Sequence, residues 1–216
     1  SSELSGNIID LCPVGALLSK PFLYSARAWE LQSYLSIAPH DAVGSNIKIQ
    51  TRNGKIMRVV PADNEEVNES WISDRDRFSY LGANESRVTS PMVRNSSGNL
   101  VETNWQAALD TVIKSFTEII ATDGGSAVGA IASPSSSVEE FYLLQKFMRG
   151  LGSNNIDFRL QQQDFSAGAE QSAPKLELSL QEIETQNSIF IIGSDIQREQ
   201  PLLSHRVRKA TLAGAV

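Results

Sequence analysis

The chain has 216 residues, which is enough for one ordinary domain or for a small domain followed by a larger one. Its formal charge of −6 offers nucleic acid no broad basic surface, so we expect no nucleic-acid partner. The apolar runs, such as residues 189–192, are far too short to cross a bilayer, and we expect no direct membrane insertion.

The first 34 residues contain Cys12-Pro13 and short helical signals. Pro13 is placed to open the first turn of a helix, and Pro21 ends whatever precedes it. Cys12 is the only cysteine, which excludes an internal disulfide framework and suits a reducing compartment. The chain opens on Ser1-Ser2 and stops soon after its last predicted helix, so we expect it to be an internal piece of a longer protein.

Residues 35–90 are predicted to form a small β-rich module. Apolar and polar residues alternate over 47–51, and a second strand-like run covers 56–60. Between them, Asn53-Gly54 predicts a hairpin, because both central residues of a type I′ turn need positive φ. We expect the module to continue through residues 71–80.

Residues 91–216 alternate between predicted helices and strands. An apolar stripe over 105–120 predicts a helix with Thr103 or Asn104 as N-cap, and Ser137 and Glu140 have the spacing of a capping box. Short apolar runs predict buried strands, and Pro201 and Gly214 are placed to start and stop a last helix; the predicted strands are 127–132, 156–158 and 189–192. The predicted fold class is therefore α/β, a small β-rich module followed by a doubly wound parallel-sheet domain.

Cys12 is the candidate metal ligand. Cysteine before proline is typical of the last ligand of a ferredoxin-type cluster, although a lone cysteine is also commonly a small buried apolar residue. Residues 6–21, GNIIDLCPVGALLSKP, resemble the segment of the large iron–sulfur subunits of respiratory complex I that supplies the final cysteine of a [4Fe–4S] cluster. The resemblance implies that the other three ligands precede residue 1, and that no cluster assembles in this chain alone.

Two stretches of the β-rich module resemble the iron–sulfur domain that opens the molybdopterin oxidoreductases. They are residues 38–47, APHDAVGSNI, and residues 71–78, WISDRDRF. The resemblance places the former cluster ligands at Ala38, Asp41, Ser45 and Ser73. None is a cysteine, and hydroxyls are poor ligands for an iron–sulfide cluster, so the module is expected to be a degenerate one that has kept its scaffold.

This interpretation makes a geometric prediction. Ser45 and Ser73 should lie close together, within about 10 Å between their Cα atoms, because cluster ligands converge on one centre. Ile37, Val43 and Ile72 should fill the vacated volume. The two histidines and the charged residues receive ordinary roles, His40 as a solvated loop residue, His205 on a polar helix face, and residues 63–77 as a solvated or subunit-contacting surface.

The C-terminal part resembles the catalytic body of the molybdopterin oxidoreductases in residues 137–157 and 189–201. Formate dehydrogenases of this superfamily place a cysteine or selenocysteine ligand of molybdenum where this chain has residues 161–164, Gln-Gln-Gln-Asp. We therefore expect no molybdopterin and no catalytic or other cofactor-binding residue. Residues 192–195 contain a single glycine, which is too weak a signal for a dinucleotide loop.

The resemblance implies three domains. They are residues 1–34, the end of a ferredoxin-like cluster domain and a linker; residues 35–90, a degenerate 4Fe-4S module; and residues 91–216, a truncated molybdopterin-oxidoreductase-like domain.

The implied function is that of an electron-transfer subunit of NADH–quinone oxidoreductase, in which this chain is mainly a scaffold that supplies one [4Fe–4S] ligand and is inactive alone. The implied partners are other subunits of the complex I peripheral arm. The implied location is the cytoplasmic side of a bacterial inner membrane, or the mitochondrial matrix side. Two alternatives stay open, a piece of a molybdopterin enzyme such as formate dehydrogenase and a purely structural interaction module.

Overall fold

A computed structural model of the chain describes residues 2–159 and 176–216. The chain divides into two compact units, a first unit of Ser1–Ser86 with Gln171–Val216 and a second unit of Arg87–Glu170. The C-terminal residues thus group with the N-terminal ones. The three predicted domains, with boundaries after residues 34 and 90, stay a prediction.

The first unit contains a three-stranded antiparallel sheet. Its strands are β1 (Gln32–Ile37), β2 (Asn46–Arg52) and β3 (Lys55–Pro61), in that order. The predicted hairpin is confirmed, because Asn53 has φ 51° and Gly54 has φ 75° between β2 and β3. The loop of residues 38–45 connects β1 to β2.

The core of this unit lies between the sheet and the residues that follow it. One apolar cluster contains Ala38, Ile47, Val59, Ile72 and Tyr80. Ile72 is completely buried and Val43 is 9% exposed, as expected of residues that fill the loop's interior. Ile37 is 64% exposed, so its predicted role there is wrong. It lies on β1, an outer strand with a neighbour on one side, and its side chain is left uncovered.

The β-rich character does not extend through residues 71–80, contrary to our prediction. Two short helices, α2 (Asp74–Phe78) and α3 (Tyr80–Ala83), follow β3. Ser73 caps α2, since its Oγ accepts a hydrogen bond from the Asp76 N–H at 3.1 Å. Local capping chemistry therefore decides the structure of this stretch.

The N-terminal residues form a 3₁₀ turn (Ser5–Asn7) followed by α1 (Ile8–Leu11), and a second 3₁₀ turn covers Ala28–Glu30. The prediction that Pro13 opens a helix is wrong, because α1 ends at Leu11 and the next helical element, a 3₁₀ turn, begins only at Ala28. Cys12 has φ −77° and ψ 104°, an extended conformation. A residue that precedes proline is disfavoured in the helical region, which explains why the helix stops there.

The second unit contains the predicted helices α4 (Trp105–Asp123) and α5 (Val138–Gly150). Asn104 is the N-cap of α4, and Ser137 and Glu140 form the predicted capping box of α5. Four short strands accompany them, an antiparallel pair β4 (Met92–Arg94) and β5 (Leu100–Glu102) and a parallel pair β6 (Ala130–Ile131) and β7 (Ile156–Asp157). The mixed α/β class is confirmed. Of the expected doubly wound parallel sheet, the described residues contain the single parallel pair β6–β7.

The C-terminal residues of the first unit are helical. A 3₁₀ turn (Glu182–Thr185) precedes α6 (Ile196–Glu199) and α7 (Pro201–Leu212). Pro201 begins α7 as predicted, and Gly214 follows it with φ 110°. The expected strand at 189–192 is wrong, since Ile189 makes a single backbone bond, from its N–H to the Val216 oxygen, and no neighbouring strand among the described residues extends it. In the part of the chain that the structure describes, no helix has the length and apolar content that a bilayer crossing needs.

Candidate metal centre

Cys12 lies at the C-terminal end of α1 and is a partly exposed free thiol. Its N–H donates to the Ile8 oxygen at 3.1 Å, and Gly15, with φ 64°, turns the following chain back toward it. The backbone N–H of Leu17 contributes most to lowering the pKa of the Cys12 thiol, and those of residues 14–16 add to it against the opposing effect of burial. These N–H groups stabilise the thiolate relative to an ordinary cysteine, and the thiolate is the form that binds metal.

The chain offers one soft ligand at this position. Cys12 is the single cysteine, and the residues described in the structure include no group of three His, Cys, Asp or Glu side chains that could hold a metal ion. A [4Fe–4S] cluster is normally held by four thiolates. The Cys12 segment fits one corner of such a cluster, and its role as a ligand stays a prediction.

The four positions assigned to a lost cluster border one buried region. The loop closes through the Ala38 N–H, which donates to the Ser45 oxygen at 2.8 Å. Ser73 Oγ donates to Asp76 Oδ2 at 2.8 Å, and the other Asp76 oxygen lies 2.8 Å from His40 Nδ1, on the loop. Ala38 is 3% exposed, and both serines are fully buried. The Cα separation of the serines remains a prediction.

His40 is not the solvated residue that its sequence context predicted. Its Nδ1 atom contacts the carboxylate of Asp76, whose side chain is fully buried, while the His40 side chain is 29% exposed. Asp76 accepts from Ser73 as well, so one buried carboxylate joins the loop to the N-terminus of α2. No sequence spacing marked this pair, since 36 residues separate the two side chains.

Two oxygens in the loop are buried without a hydrogen-bond partner among the described residues. They are Asp41 Oδ2 and Ser45 Oγ. Burial raises the pKa of Asp41, and the nearby Asp76 carboxylate adds to the rise, while the Val43 N–H opposes it from 3.0 Å. These hard oxygens and the methyl of Ala38 do not fit an iron–sulfur cluster, which requires soft thiolates.

The helix α2 also contacts the Cys12 segment. Asp74 accepts from the Gly6 N–H at 2.6 Å and from Ser5 Oγ at 2.7 Å. Asn7 forms a reciprocal pair with the backbone of Ile72, its Nδ2 donating at 2.8 Å and its Oδ1 accepting at 3.1 Å. The Cys12 segment and the loop of residues 38–45 are thus both held by the same short stretch, residues 72–77.

The expectation of a solvated or subunit-contacting charged surface over residues 63–77 is wrong for its last two members. Asp76 is 2% exposed and Arg77 is 3% exposed, and both are paired within the first unit. Glu69 pairs with Arg206 and Lys209 of α7. Dense opposite charges in the sequence therefore mark internal pairing here.

His205 is partly exposed on α7 and has a polar as well as an aromatic neighbour, since its Nε2 lies 3.9 Å from Glu69 Oε2. Its ring meets the Trp71 ring edge-on, with 6.2 Å between centroids, and its side chain is 23% exposed. Burial lowers the pKa of His205. It therefore packs from α7 against the loop before α2.

The remaining stretches carry no additional site among the described residues. Residues 161–164, where related formate dehydrogenases have their molybdenum ligand, lie outside the described residues. Residues 192–195 form a bend in which Gly193 has φ 65° and Ser194 Oγ donates to the Glu199 carboxylate. That side-chain contact joins the bend to Glu199, the last residue of α6.

Comparison with known proteins assigns both parts of the chain. A family model described as molybdopterin oxidoreductase matches residues 87–216, and one described as NADH-ubiquinone oxidoreductase NDSU1/NuoG-like, 4Fe-4S domain matches residues 31–81.

Similar curated proteins include the G subunit of the NADH-quinone oxidoreductase of Rickettsia felis, 38% identical over the whole chain and 31% of the relative. The corresponding protein of Rickettsia conorii is 41% identical over 95% of the chain and 30% of the relative. The NADH-ubiquinone oxidoreductase 75 kDa subunit of Reclinomonas americana is 38% identical over 99% of the chain and 32% of the relative. The chain thus spans about a third of the length of these relatives.

Proposed function

The chain belongs to the molybdopterin oxidoreductase family and contains a NuoG-like 4Fe-4S domain, and from this membership we propose that it is part of an electron-transfer subunit of an NADH–quinone oxidoreductase. The whole protein passes electrons from NADH toward quinone, and proton translocation takes place elsewhere in the complex. This chain acts mainly as a scaffold and contributes one cluster ligand. By itself it is inactive.

The observation that carries the proposal is the pair of family matches, together with the single thiol that Cys12 presents at the end of α1. Backbone N–H groups of residues 14–17 lower the pKa of this thiol. Hydrogen bonds to cluster sulfurs are one of the means by which a protein sets a reduction potential. When bound, a [4Fe–4S] cluster supplies one-electron transfer, and the chain's own part is to present a thiolate in a fixed direction at the end of α1.

The degenerate loop has no electron-transfer role in this proposal. The oxygens of Asp41, Ser45 and Ser73 and the methyl group of Ala38 occupy the places of its ligands. The hydrogen bonds through Asp76 and the apolar packing of Ile72 keep the loop folded without iron. The loop is a structural element of the protein.

The partners we propose are other subunits of the peripheral arm of complex I. The relatives' names support this, since each is a subunit of NADH-quinone or NADH-ubiquinone oxidoreductase. We place the protein at the membrane periphery, on the cytoplasmic side in a bacterium or on the matrix side in a mitochondrion. No nucleic acid enters this account.

One alternative has an observation in its favour. The match over residues 87–216 is to a family named for molybdopterin, which would suit a fragment of an enzyme such as a formate dehydrogenase. We propose that no molybdopterin binds here, because residues 161–164 contain no thiol or selenol. Molybdenum or tungsten bound stoichiometrically to the full-length protein would favour the alternative.

The test is Cys12→Ser in the full-length protein, with Ser19→Ala from the same segment as control. Cys12→Ser should abolish one [4Fe–4S] EPR signal, because serine is a poor replacement for a thiolate at iron. Metal analysis of the same samples should find iron and no molybdenum. If every cluster signal survives the Cys12 substitution, the chain is a structural module alone, and the proposed ligand role is wrong.

A further inference from the structure

We propose that Arg77 and Asn7 are positioning residues for the cluster ligand Cys12, and that the degenerate module now serves as the anchor of that ligand's helix. The inference rests on the proposed role of Cys12. It adds a present function for a module that has lost its own metal ligands.

The anchor is built from side chains that have almost no contact with water. Arg77 is 3% exposed and Asn7 is 3% exposed, and Ile72, whose backbone bonds to Asn7, is completely buried. Arg77 donates from one terminal nitrogen to Asn7 Oδ1 at 3.0 Å and to Asp10 Oδ2 at 2.5 Å. Asp10 is two residues before Cys12, on α1. One guanidinium therefore bonds to the residue just before α1 and to Asp10 near the end of α1.

Close contacts also fix the position of residues 3–6 relative to α2. A Cβ placed on Gly6 would lie 2.6 Å from Asp74 Oδ1 and 2.9 Å from Arg77 Cδ, so the backbone at residue 6 touches α2 directly. The Asp74 N–H in turn donates to the Glu3 oxygen at 2.8 Å. Backbone bonds of this kind fix the register of two segments because each donor has a single matching acceptor.

The short length of α1 makes the anchor necessary. The helix spans Ile8–Leu11, and isolated helices of that length are unstable in water because one turn cannot recover the entropy of nucleation. The Cys12 N–H depends on that turn through its bond to Ile8. The direction in which Cys12 presents its sulfur is therefore set by the contacts of residues 3–10 with α2.

The other end of the anchor lies in the former ligand loop. Asp76, on the same helix as Arg77, holds Ser73 and His40. The loop of residues 38–45 and the Cys12 segment thus share one rigid support. The buried polar contacts of the cluster-free module therefore support the Cys12 segment.

The experiment uses the full-length protein with its clusters and compares Arg77→Met with Arg75→Met. Arg75 lies on the same helix but is exposed and donates to backbone oxygens of residues 198 and 199, away from the Cys12 segment. The readout is the EPR signal that Cys12→Ser abolishes, followed during challenge with an iron chelator. Signals that survive Cys12→Ser serve as the internal reference.

Arg77→Met should make the Cys12-dependent signal decay several-fold faster than in the unmodified protein, while the reference signals decay at their usual rate. Arg77→Lys should restore part of the protection, because a cation can still reach Asp10. Arg75→Met should leave the decay unchanged. Equal acceleration of all signals would mean loss of general stability alone and would overturn the inference, as would an unchanged decay.

If Arg77→Met does not fold, Asp10→Asn carries the test, since Asp10 is partly exposed and its amide analogue keeps the side-chain shape. Asp10→Asn should accelerate the decay of the Cys12-dependent signal selectively, though less than Arg77→Met. An unchanged decay in this variant would overturn the inference. Failure of the underlying function is recognised separately. In that case Cys12→Ser removes no signal.

Discussion

At the scale of single residues, Asp41 shows how a carboxylate is accommodated in the loop of residues 38–45. The resemblance assigns its position to a lost cluster ligand. Its Oδ1 accepts from the Val43 N–H at 3.0 Å, and its Oδ2 is buried without a partner among the described residues. Burial and the neighbouring Asp76 raise the pKa of Asp41. A raised pKa in the folded state means that ionisation of this group opposes folding.

We predict that Asp41→Asn stabilises the chain at neutral pH. The amide keeps an oxygen for the Val43 N–H and removes the buried negative charge near Asp76. The native Asp41 favours folding only below its unfolded-state pKa, and this contribution disappears as pH rises through its folded-state pKa. The gain of the variant should therefore be present at neutral pH and vanish in acid, measured as the denaturant midpoint at both pH values.

Asp63→Asn is the matched control, because Asp63 is exposed. It should change the midpoint by the same small amount at both pH values. An Asp41→Asn variant that is less stable than the native chain at neutral pH would show that the carboxylate has a favourable partner in the loop. That result would contradict our description of the site.

Single residues were predictable where their chemistry is local. Cys12 before Pro13, and the missing cysteines at positions 38, 41, 45 and 73, can be recognised in the sequence through the resemblance to an iron–sulfur family. The pairing of His40 with Asp76 was not predictable, because it depends on how the loop folds back on α2. Charge density alone indicated a surface at Asp76 and Arg77, where tertiary pairing buried both.

At the scale of elements, α7 is held to the loop before α2 by charges. Arg206, which is 4% exposed, pairs with Glu184 and Glu69 and donates to the backbone oxygens of Glu65 and Val67. Lys209 adds pairs with the same two carboxylates. Networks of this kind are costly to break at one member, since the others remain partly buried and uncompensated.

We predict that Arg206→Met destabilises the first unit by about 2–4 kcal/mol, because Glu69, Glu184 and two carbonyls lose their donor together. Arg208→Met, on the exposed side of the same helix, should change stability by no more than about 0.5 kcal/mol. Urea unfolding followed by tryptophan fluorescence measures both. Equal effects of the two substitutions would show that the network contributes nothing specific.

Elements set by short-range signals were predicted well. The Asn53-Gly54 turn, the Asn104 cap and the capping box at Ser137 each depend on neighbours within a few residues. The strand expected at 189–192 failed because an apolar run becomes a strand only where a neighbouring strand pairs with it. The helical signal at Pro13 failed for a local reason, since Cys12 before proline favours an extended backbone.

At the scale of the whole molecule, the boundaries of the two family matches differ from those of the two compact units. The NuoG-like match over 31–81 lies within the first unit, while the molybdopterin oxidoreductase match over 87–216 covers residues of both. The sequence suggested three successive domains, whereas compactness groups residues 176–216 with the N-terminal part. Long-range packing of α7 against the loop before α2 could not be read from sequence patterns.

The most direct test of the account is to locate iron in crystals of the full-length protein from anomalous scattering at the iron absorption edge. We predict a cluster-sized peak within bonding reach of Cys12 Sγ and no peak in the space bordered by Ala38, Asp41, Ser45 and Ser73. A metal peak inside that loop, or a Cys12 sulfur with no iron beside it, would contradict the central claim. That claim is that Cys12 binds a cluster and that the module of residues 35–90 binds none.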